Sequence, residues 1–413
     1  MKVLQINQSD SVGGAAIAGY RLHQGLLAQG VDSHLLVGKA QTSSDRIATV
    51  PEKNRVEHKL RDYFAQPLGL TYLNILNSFN IPKSDLFQSA DIINFHNLHT
   101  GYFNYLAIST LTAHKPAVFT LHDMWSFTGH CSYSYDCDRW KIGCGKCPYP
   151  DVYPKIQRDN THIVWKLKDW TYSRSNLTIV TLSHWLTAQV QQSMLNRFPI
   201  HHIPNGIDTT VYQPLEPDAC KQQLGLPKGK KILMFGAESL KESRKGGDLL
   251  LKALQNLPAS LKAEIVLLTF GNGGDTIAQS VAMQTMNLGY VESDRRKAVA
   301  YSAADLFIFP TRADNLPLVL QESMACGTPM VSCRVGGVPD LVRPGITGYL
   351  AAPEDPHDLS YGITQLLEDD ALREKMSQNC RAIVLKEYSL ELQVQRYVDL
   401  YLKLIQTKTQ VKN

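Results

Sequence analysis

Two cations and two glycines run together at Arg244-Lys245-Gly246-Gly247, just past the apolar run that ends at Phe235-Gly236. Strand, polar loop and helix start in that order set two positive side chains beside unpaired helix N–H groups. Such a corner can neutralise a pyrophosphate, whose charge grows as a bond to it breaks. Farther on, Phe309-Pro310-Thr311-Arg312-Ala313-Asp314 carries a carboxylate in the loop after a strand, and Glu322 lies eight residues later inside the next helix. The loop carboxylate can bond a sugar hydroxyl or steady positive charge at an anomeric carbon. The helical one can hold ribose hydroxyls, and the helix start at Asn315, Leu316 and Pro317 can meet a phosphate. Near the beginning, Ser11-Val12-Gly13-Gly14 makes a glycine turn before a helix, suited to an anion or a hydroxyl-rich ligand. It lacks the full G-x-G-x-x-G spacing, and no acid ends the second strand. His122, in Leu121-His122-Asp123-Met124-Trp125, closes a strand, where a ring can bond a hydroxyl whether neutral or charged.

Four cysteines fall within 17 positions: Cys131, Cys137, Cys144 and Cys147. The C-x2-C pair with glycine inside sets two thiolates on one turn, and four sulfurs satisfy a tetrahedral structural zinc. His122 or His130 could stand in for one cysteine. Four reduced thiols or two disulfides are the other readings, and the spacing does not suit an iron–sulfur cluster. On any of these readings the cluster is scaffolding, not chemistry. Cys220, Cys326, Cys333 and Cys380 sit among apolar or helical neighbours and read as buried thiols of a reducing compartment.

These residues need a frame. Strand 2–8, glycine turn, helix 15–29 and strand 34–37 form a βαβ unit, which implies a parallel sheet covered on both faces. Residues 92–95, 117–121 and 177–182 read as further strands. A second α/β series follows a Pro-dotted stretch at 205–230, with strands at 231–235, 264–270, 305–309 and 330–332 and helices at 248–257 and 318–326. The expected class is therefore α/β: two doubly wound halves, 1–205 and 206–388, with a cleft between strand ends, and a long amphipathic helix over 389–413. An insertion at 46–86 reads as mostly helical. Its basic Lys53, Arg55, Lys59 and Arg61 and the apolar stretch 68–75 suit a membrane surface.

Length supports that division, since 413 residues exceed what one core carries. Lys plus Arg number 42 against 38 acids, a balance that speaks against nucleic acid as a partner. No apolar run reaches membrane-spanning length, and the start has no signal-peptide pattern, so a cytoplasmic protein is expected.

The run from Asp314 to Gly337, with Ile203-Pro204-Asn205-Gly206-Ile207-Asp208, Arg244-Lys245-Gly246 and Gly345-Ile346-Thr347-Gly348-Tyr349-Leu350, resembles the retaining glycosyltransferases of family 4. The resemblance implies the GT-B fold: two Rossmann-like domains facing across a cleft, the front one for the acceptor and the rear one for a UDP- or GDP-linked sugar. No catalytic metal is expected. By position, Glu322 corresponds to the ribose carboxylate and Asp314 to the acid opposite the transferred sugar. Asn315, Leu316 and Pro317 lie at its hydroxyls and phosphates. Lys245 matches the phosphate lysine, Gly13 and Gly14 the loop over the donor phosphates, and His122 the histidine aimed at the sugar. Two positions depart from the pattern. Ala237 stands where an arginine is usual, so Arg244 is assigned that charge, and Asp314 replaces the commoner glutamate.

The block Trp125-Ser126-Phe127-Thr128-Gly129-His130-Cys131, combined with Asp314-Asn315-Leu316-Pro317, is most similar to enzymes of cell-surface or exopolysaccharide assembly. The expected reaction is thus hexosyl transfer to a glycan or lipid-linked acceptor, with peripheral contact at the inner membrane face in the lipid case. A sugar-nucleotide epimerase, a phosphorylase, or a non-catalytic zinc-bearing binding module are the alternatives.

Overall fold

The computed structural model describes residues 1–50, 69–70, 72–240, 242–281 and 283–412. The chain divides into two compact units, one formed by Met1–Asn205 with Gln393–Asn413, the other by Gly206–Leu392.

The first unit is built on a seven-stranded sheet: β1 (Lys2–Ser9), β2 (Asp32–Lys39), β3 (Ile47–Thr49), β4 (Ile92–Phe95), β5 (Ala117–Leu121), β6 (Thr178–Thr181) and β7 (Ile200–His202). Their order is β3-β2-β1-β4-β5-β6-β7, and every pairing is parallel. Strands covered on both faces need apolar runs, and β4, β5 and β6 are buried throughout. Leu4, Ile6, Ile93, Phe95, Phe119 and Leu121 belong to one apolar core with Trp125 and Trp140. Polar residues alternate with them along the strands, with Gln5 between Leu4 and Ile6, Asn94 between Ile93 and Phe95, and Thr120 between Phe119 and Leu121. Helix α1 (Gly14–Ala28) follows β1 directly, as the βαβ reading requires.

The 46–86 segment departs from its mostly helical reading at both ends. Ile47–Thr49 adds an edge strand to β2 through Leu35↔Ile47 and Val37↔Thr49, and Leu76–Lys83 is a 3-10 turn carrying Pro82. A β-branched residue at each end suits the extended backbone, which three residues are too few to announce by alternation. Lys53, Arg55, Lys59, Arg61 and part of the 68–75 stretch lie outside the described residues. Helix α2 (Thr161–Tyr172) carries the buried Lys168.

The second unit repeats the plan with six strands: β8 (Lys231–Ser239), β9 (Ile265–Asn272), β10 (Gln284–Asn287), β11 (Leu306–Phe309), β12 (Met330–Cys333) and β13 (Gly348–Ala351). The order is β10-β9-β8-β11-β12-β13, again parallel. Helices α3 (Gly247–Gln255) and α4 (Leu318–Ala325) follow β8 and β11. The last helix, α5 (Leu390–Lys412), runs back to the first unit. There Tyr401 and Tyr397 meet Asn94 and Thr120 at 2.8 and 2.9 Å. Among the described residues no helix is long and apolar enough to cross a membrane.

Candidate active site

In each sheet the strand order reverses beside the first strand, between β1 and β4 in one unit and between β8 and β11 in the other. Loops leaving the carboxyl ends of the strands diverge at such a point and leave a crevice for a ligand. The cationic loop leaves β8 and the acidic loop leaves β11, so the two sit on either side of the reversal in the second unit.

They are fastened together. Lys245 Nζ lies 2.9 Å from Asp314 Oδ2, and Arg244 reaches the same oxygen at 3.1 Å. Thr311 donates its hydroxyl to that oxygen at 3.0 Å. Backbone atoms join in as well: Arg312 N–H donates to the Arg244 carbonyl at 2.8 Å, and the Arg244 guanidinium donates to the Ala313 carbonyl at 2.8 Å. Below them Arg312 spans Asp248 at 2.7 and 2.8 Å and Glu354 at 2.6 and 3.0 Å, bidentate on each. A guanidinium is the side chain whose planar fork fits two carboxylates in this way.

Two glycines explain how the loops approach so closely. Gly246 has φ +73, and a Cβ there would fall 1.8 Å from the Pro310 carbonyl oxygen. Gly336 has φ +51, and its Cβ would fall 2.0 Å from the Asp314 carbonyl oxygen. The neighbouring Gly337 N–H donates to that same carbonyl at 3.0 Å. The Gly336-Gly337 pair is therefore a backbone clamp on Asp314, because only glycine combines this conformation with so near a neighbour.

Charge is concentrated here under little solvent. Burial alone would push Asp314 up, but Lys245 and Arg244 outweigh it and hold the carboxyl below the usual range. Burial holds Lys245 below the ordinary lysine value, and Asp314 offsets part of that. The cluster is a carboxylate with two cations, able to present positive charge to a phosphate and a fixed acceptor to a hydroxyl.

Glu322 lies buried in α4, and the Tyr301 hydroxyl donates to its Oε2 at 3.2 Å. Asn315 and Leu316 are buried ahead of it, and Pro317 caps the helix without a side-chain bond. Ala237 is buried on β8. Arg244 rather than this position brings the second cation to Asp314.

The first unit holds the remaining candidates. Gly13, at φ 88, caps α1 with no side-chain bond, and Gly14 opens the helix. His122 follows β5, and its Nε2 lies 3.0 Å from Nδ1 of His96, which follows β4. His96 Nε2 lies 2.8 Å from Gln5 Oε1. Burial lowers His96 well below the usual histidine value and His122 to about 4, so both rings are neutral near pH 7. Beside them His99 Nε2 meets Asp123 Oδ2 at 2.9 Å, and Tyr153 OH meets His99 Nδ1 at 3.4 Å. The sequence reading missed His96, His99, Tyr301 and Thr311. His96 was accessible to the rule that singled out His122, since it too closes a strand. The others declare themselves only through contacts distant in sequence.

The four clustered cysteines are unbridged thiols. Cys144 (φ 54) and Lys146 (φ 48) alternate with Gly143 and Gly145 in a left-handed run. Gly129 N–H donates to Cys144 Sγ at 3.2 Å, and His130 Nε2 lies 3.1 Å from Cys147 Sγ. Among the described residues no three ligand atoms of this cluster lie within 4.8 Å of one another. Nearby, the Lys168 amine donates to the carbonyls of Trp125 and Thr128, and burial lowers it to about 7.

Residues 12–211 match the model of glycosyltransferase family 4, and residues 218–383 match that of the glycosyl transferases group 1. The chain is 28% identical over 360 residues to a protein of Escherichia coli strain K12 named as the colanic acid biosynthesis glycosyl transferase WcaC, covering 83% of this chain and 85% of that one. Sucrose-phosphate synthase from Thermosynechococcus elongatus is similar in structure, with a TM-score of 0.73 at 18% identity over 98% of this chain and 100% of that one. Anabaena HepE, solved with UDP-glucose, gives 0.67 at 17% identity over 98% and 100%. The structural likenesses speak for the fold, which is the two-Rossmann GT-B fold expected above. With consecutive family models covering both halves and the cation–carboxylate corner at the strand reversal of the second, the chain belongs to the family 4 glycosyltransferases.

Proposed function

We propose that this glycosyltransferase moves a hexose, with retention at the anomeric carbon, from a nucleoside diphosphate sugar to a hydroxyl of a glycan or glycolipid in polysaccharide biosynthesis. The cluster of Lys245, Arg244 and Asp314 carries the reading, because it sets two cations and one acid at the strand reversal where a ligand docks. In this scheme Lys245 and Arg244 bind the diphosphate and stabilise it as it leaves. Asp314 holds those cations in place and faces the transferred sugar. Glu322 takes the ribose hydroxyls, and the backbone at Asn315, Leu316 and Pro317 meets sugar and phosphate. Gly13 and Gly14 serve the phosphates from the first unit, and His122 bonds a sugar hydroxyl. The departing phosphate accepts the proton of the acceptor hydroxyl, so the protein mainly positions reactants and stabilises charge, without a divalent ion. A UDP-sugar is the first donor to try, because HepE was solved with UDP-glucose. The acceptor is assigned to the first unit, on the cytoplasmic face of a membrane where it is lipid-linked.

The test is a thermal-shift panel of UDP- and GDP-sugars, since a ligand of the folded state alone raises its melting point. Proton NMR of the product made with acceptor then reads the anomeric configuration. Clean epimer from donor alone, or product of inverted configuration, would overturn the scheme.

We also propose that the cysteine cluster takes up a structural zinc. The left-handed run at Cys144 and Lys146, the N–H bond to Cys144 Sγ and the contact of His130 with Cys147 support it. Tetrahedral ligation then requires the sulfurs to draw closer on binding. Metal analysis of protein purified without chelator checks this. About one zinc per chain, lost in Cys144→Ser, is expected, and a metal-free wild type of full stability would rule it out.

A further inference from the structure

His122 is not an isolated ring. It ends a row of buried polar groups that crosses the sheet of the first unit: His122, His96, Gln5 on β1, Ser33 on β2 and His23 on α1. The separations are 3.0, 2.8, 3.1 and 2.8 Å in that order. His96, Gln5, Ser33 and His23 are each no more than 2% exposed. Buried polar groups must bond to one another, and a row of them orders its own protons.

The order can be read from the amide. Gln5 gives its Nε2 to Ser33 Oγ and turns Oε1 to His96 Nε2. An amide oxygen only accepts, so His96 must carry its proton on Nε2. A neutral imidazole has a single N–H, so His96 Nδ1 is an acceptor. The nitrogen 3.0 Å from it, His122 Nε2, must then be the donor. At the other end Ser33, accepting from Gln5, is left to donate to His23 Nδ1. Every bond runs with one polarity and none conflicts.

The row is also held in place. A Cβ at Gly19 on α1 would fall 2.6 Å from Asn7 Nδ2 and 3.6 Å from the His96 ring, so the helix sits against that ring and leaves it little room to turn over. The His96 and His122 rings are tilted by 36° with centroids 5.3 Å apart. Asp123 and His99 are the other titratable neighbours acting on His122.

We propose that His96 is a positioning residue: bonded to Gln5, it fixes the proton of His122 on Nε2 and thereby makes Nδ1 of His122 the acceptor for a substrate hydroxyl. The inference rests on the contact between His122 and the sugar proposed above. It adds a selectivity. The hydroxyl met by His122 must donate, so an analogue with oxygen methylated at that position binds poorly.

The test has two readings that fail separately. In the full-length 15N-labelled wild type, long-range proton–nitrogen correlations of the imidazoles at pH 7.5 should show His96 and His122 both neutral with the proton on Nε2. A His122 protonated on Nδ1, or on both nitrogens, would overturn the proposal whatever the kinetics. His96→Gln can still accept from His122 and donate to Gln5, so it should keep the His122 tautomer and most of kcat. His96→Phe cannot accept, so kcat should fall about tenfold, the worth of one neutral hydrogen bond, with KM for the acceptor little changed. A single Nε2–H tautomer retained at His122 in a folded His96→Phe protein would also overturn it. If His122→Ala itself keeps full kcat, the assigned sugar contact falls, while the tautomer result still judges the row.

Discussion

Replacing Lys245 by Met separates the two duties assigned to that amine. In the folded chain Lys245 neutralises Asp314, whose side chain is 12% exposed. Removing one partner of a buried ion pair costs about 3–5 kcal/mol, because the other is left uncompensated. Here Arg244 at 3.1 Å and Thr311 at 3.0 Å still face the carboxylate, so a loss of about 2 kcal/mol is expected. Asp314→Asn should cost a similar amount by leaving two cations without their acid. The double variant restores the wild-type balance of one surplus cation, with Arg244 still held by Glu242 at 2.7 Å, and its stability should return to within about 1 kcal/mol of wild type, a coupling of about 3–4 kcal/mol. All five tryptophans lie in the first unit, so amide hydrogen exchange in peptides of the second unit across a urea series measures all four proteins. Turnover should behave otherwise. Lys245→Met should lower kcat by about 10²–10³, as loss of one charge-stabilising donor does, and the double variant should recover none of it. A double variant that regains both stability and kcat would show that Lys245 serves only to neutralise Asp314, and the diphosphate role would be lost.

Glu322→Ala should raise KM for the donor about tenfold with a smaller change in kcat, read from initial rates; unchanged KM would refute the ribose role. Gly336→Ala forces a Cβ to 2.0 Å from the Asp314 carbonyl oxygen at φ +51, so about 1–3 kcal/mol of stability and most of kcat should go together. Chemical denaturation that matches wild type would show that the clamp yields freely. His23 and His122 sit at about 4 in the folded chain, below the ordinary 6.5. Between those values the unfolded chain binds more protons, so stability falls as pH drops from about 6.5 toward 4, by up to about 3 kcal/mol for a ring as buried as His23. The lowered carboxylates add their own loss only below about 3.8. A urea midpoint flat from pH 7 to 4.5 would contradict the neutral rings. Activity assayed with no divalent metal added should not rise when magnesium or manganese is supplied, and a requirement for either would refute the metal-free scheme.

Much of the fold was legible because parallel strands covered on both faces must be apolar. Ile265–Phe270 and Leu306–Phe309 read as strands for that reason alone. Ile47–Thr49, Ile200–His202, Gln284–Asn287 and Gly348–Ala351 did not, being short or polar and made strands by their neighbours. At the site, residue types at loop positions were enough to name Arg244, Lys245 and Asp314. The closeness of the three was not legible, because it depends on carbonyls filling the space beside Gly246 and Gly336. Gln5 and Ser33 looked like ordinary strand residues. Their meaning lies in pairing across the sheet with His96 and His23, which no local pattern carries.

The tyrosines of α5 have a consequence for biosynthesis. Asn94, Thr120, Tyr397 and Tyr401 form one buried hydroxyl–amide knot, with partners 277 and 307 residues apart along the chain. The first unit is stitched from Met1–Asn205 and Gln393–Asn413, so a nascent chain cannot finish it until α5 has left the ribosome. Until then Asn94 and Thr120 have each other, at 2.9 Å, but not the two tyrosine hydroxyls, and a protein cut after Leu392 never supplies those.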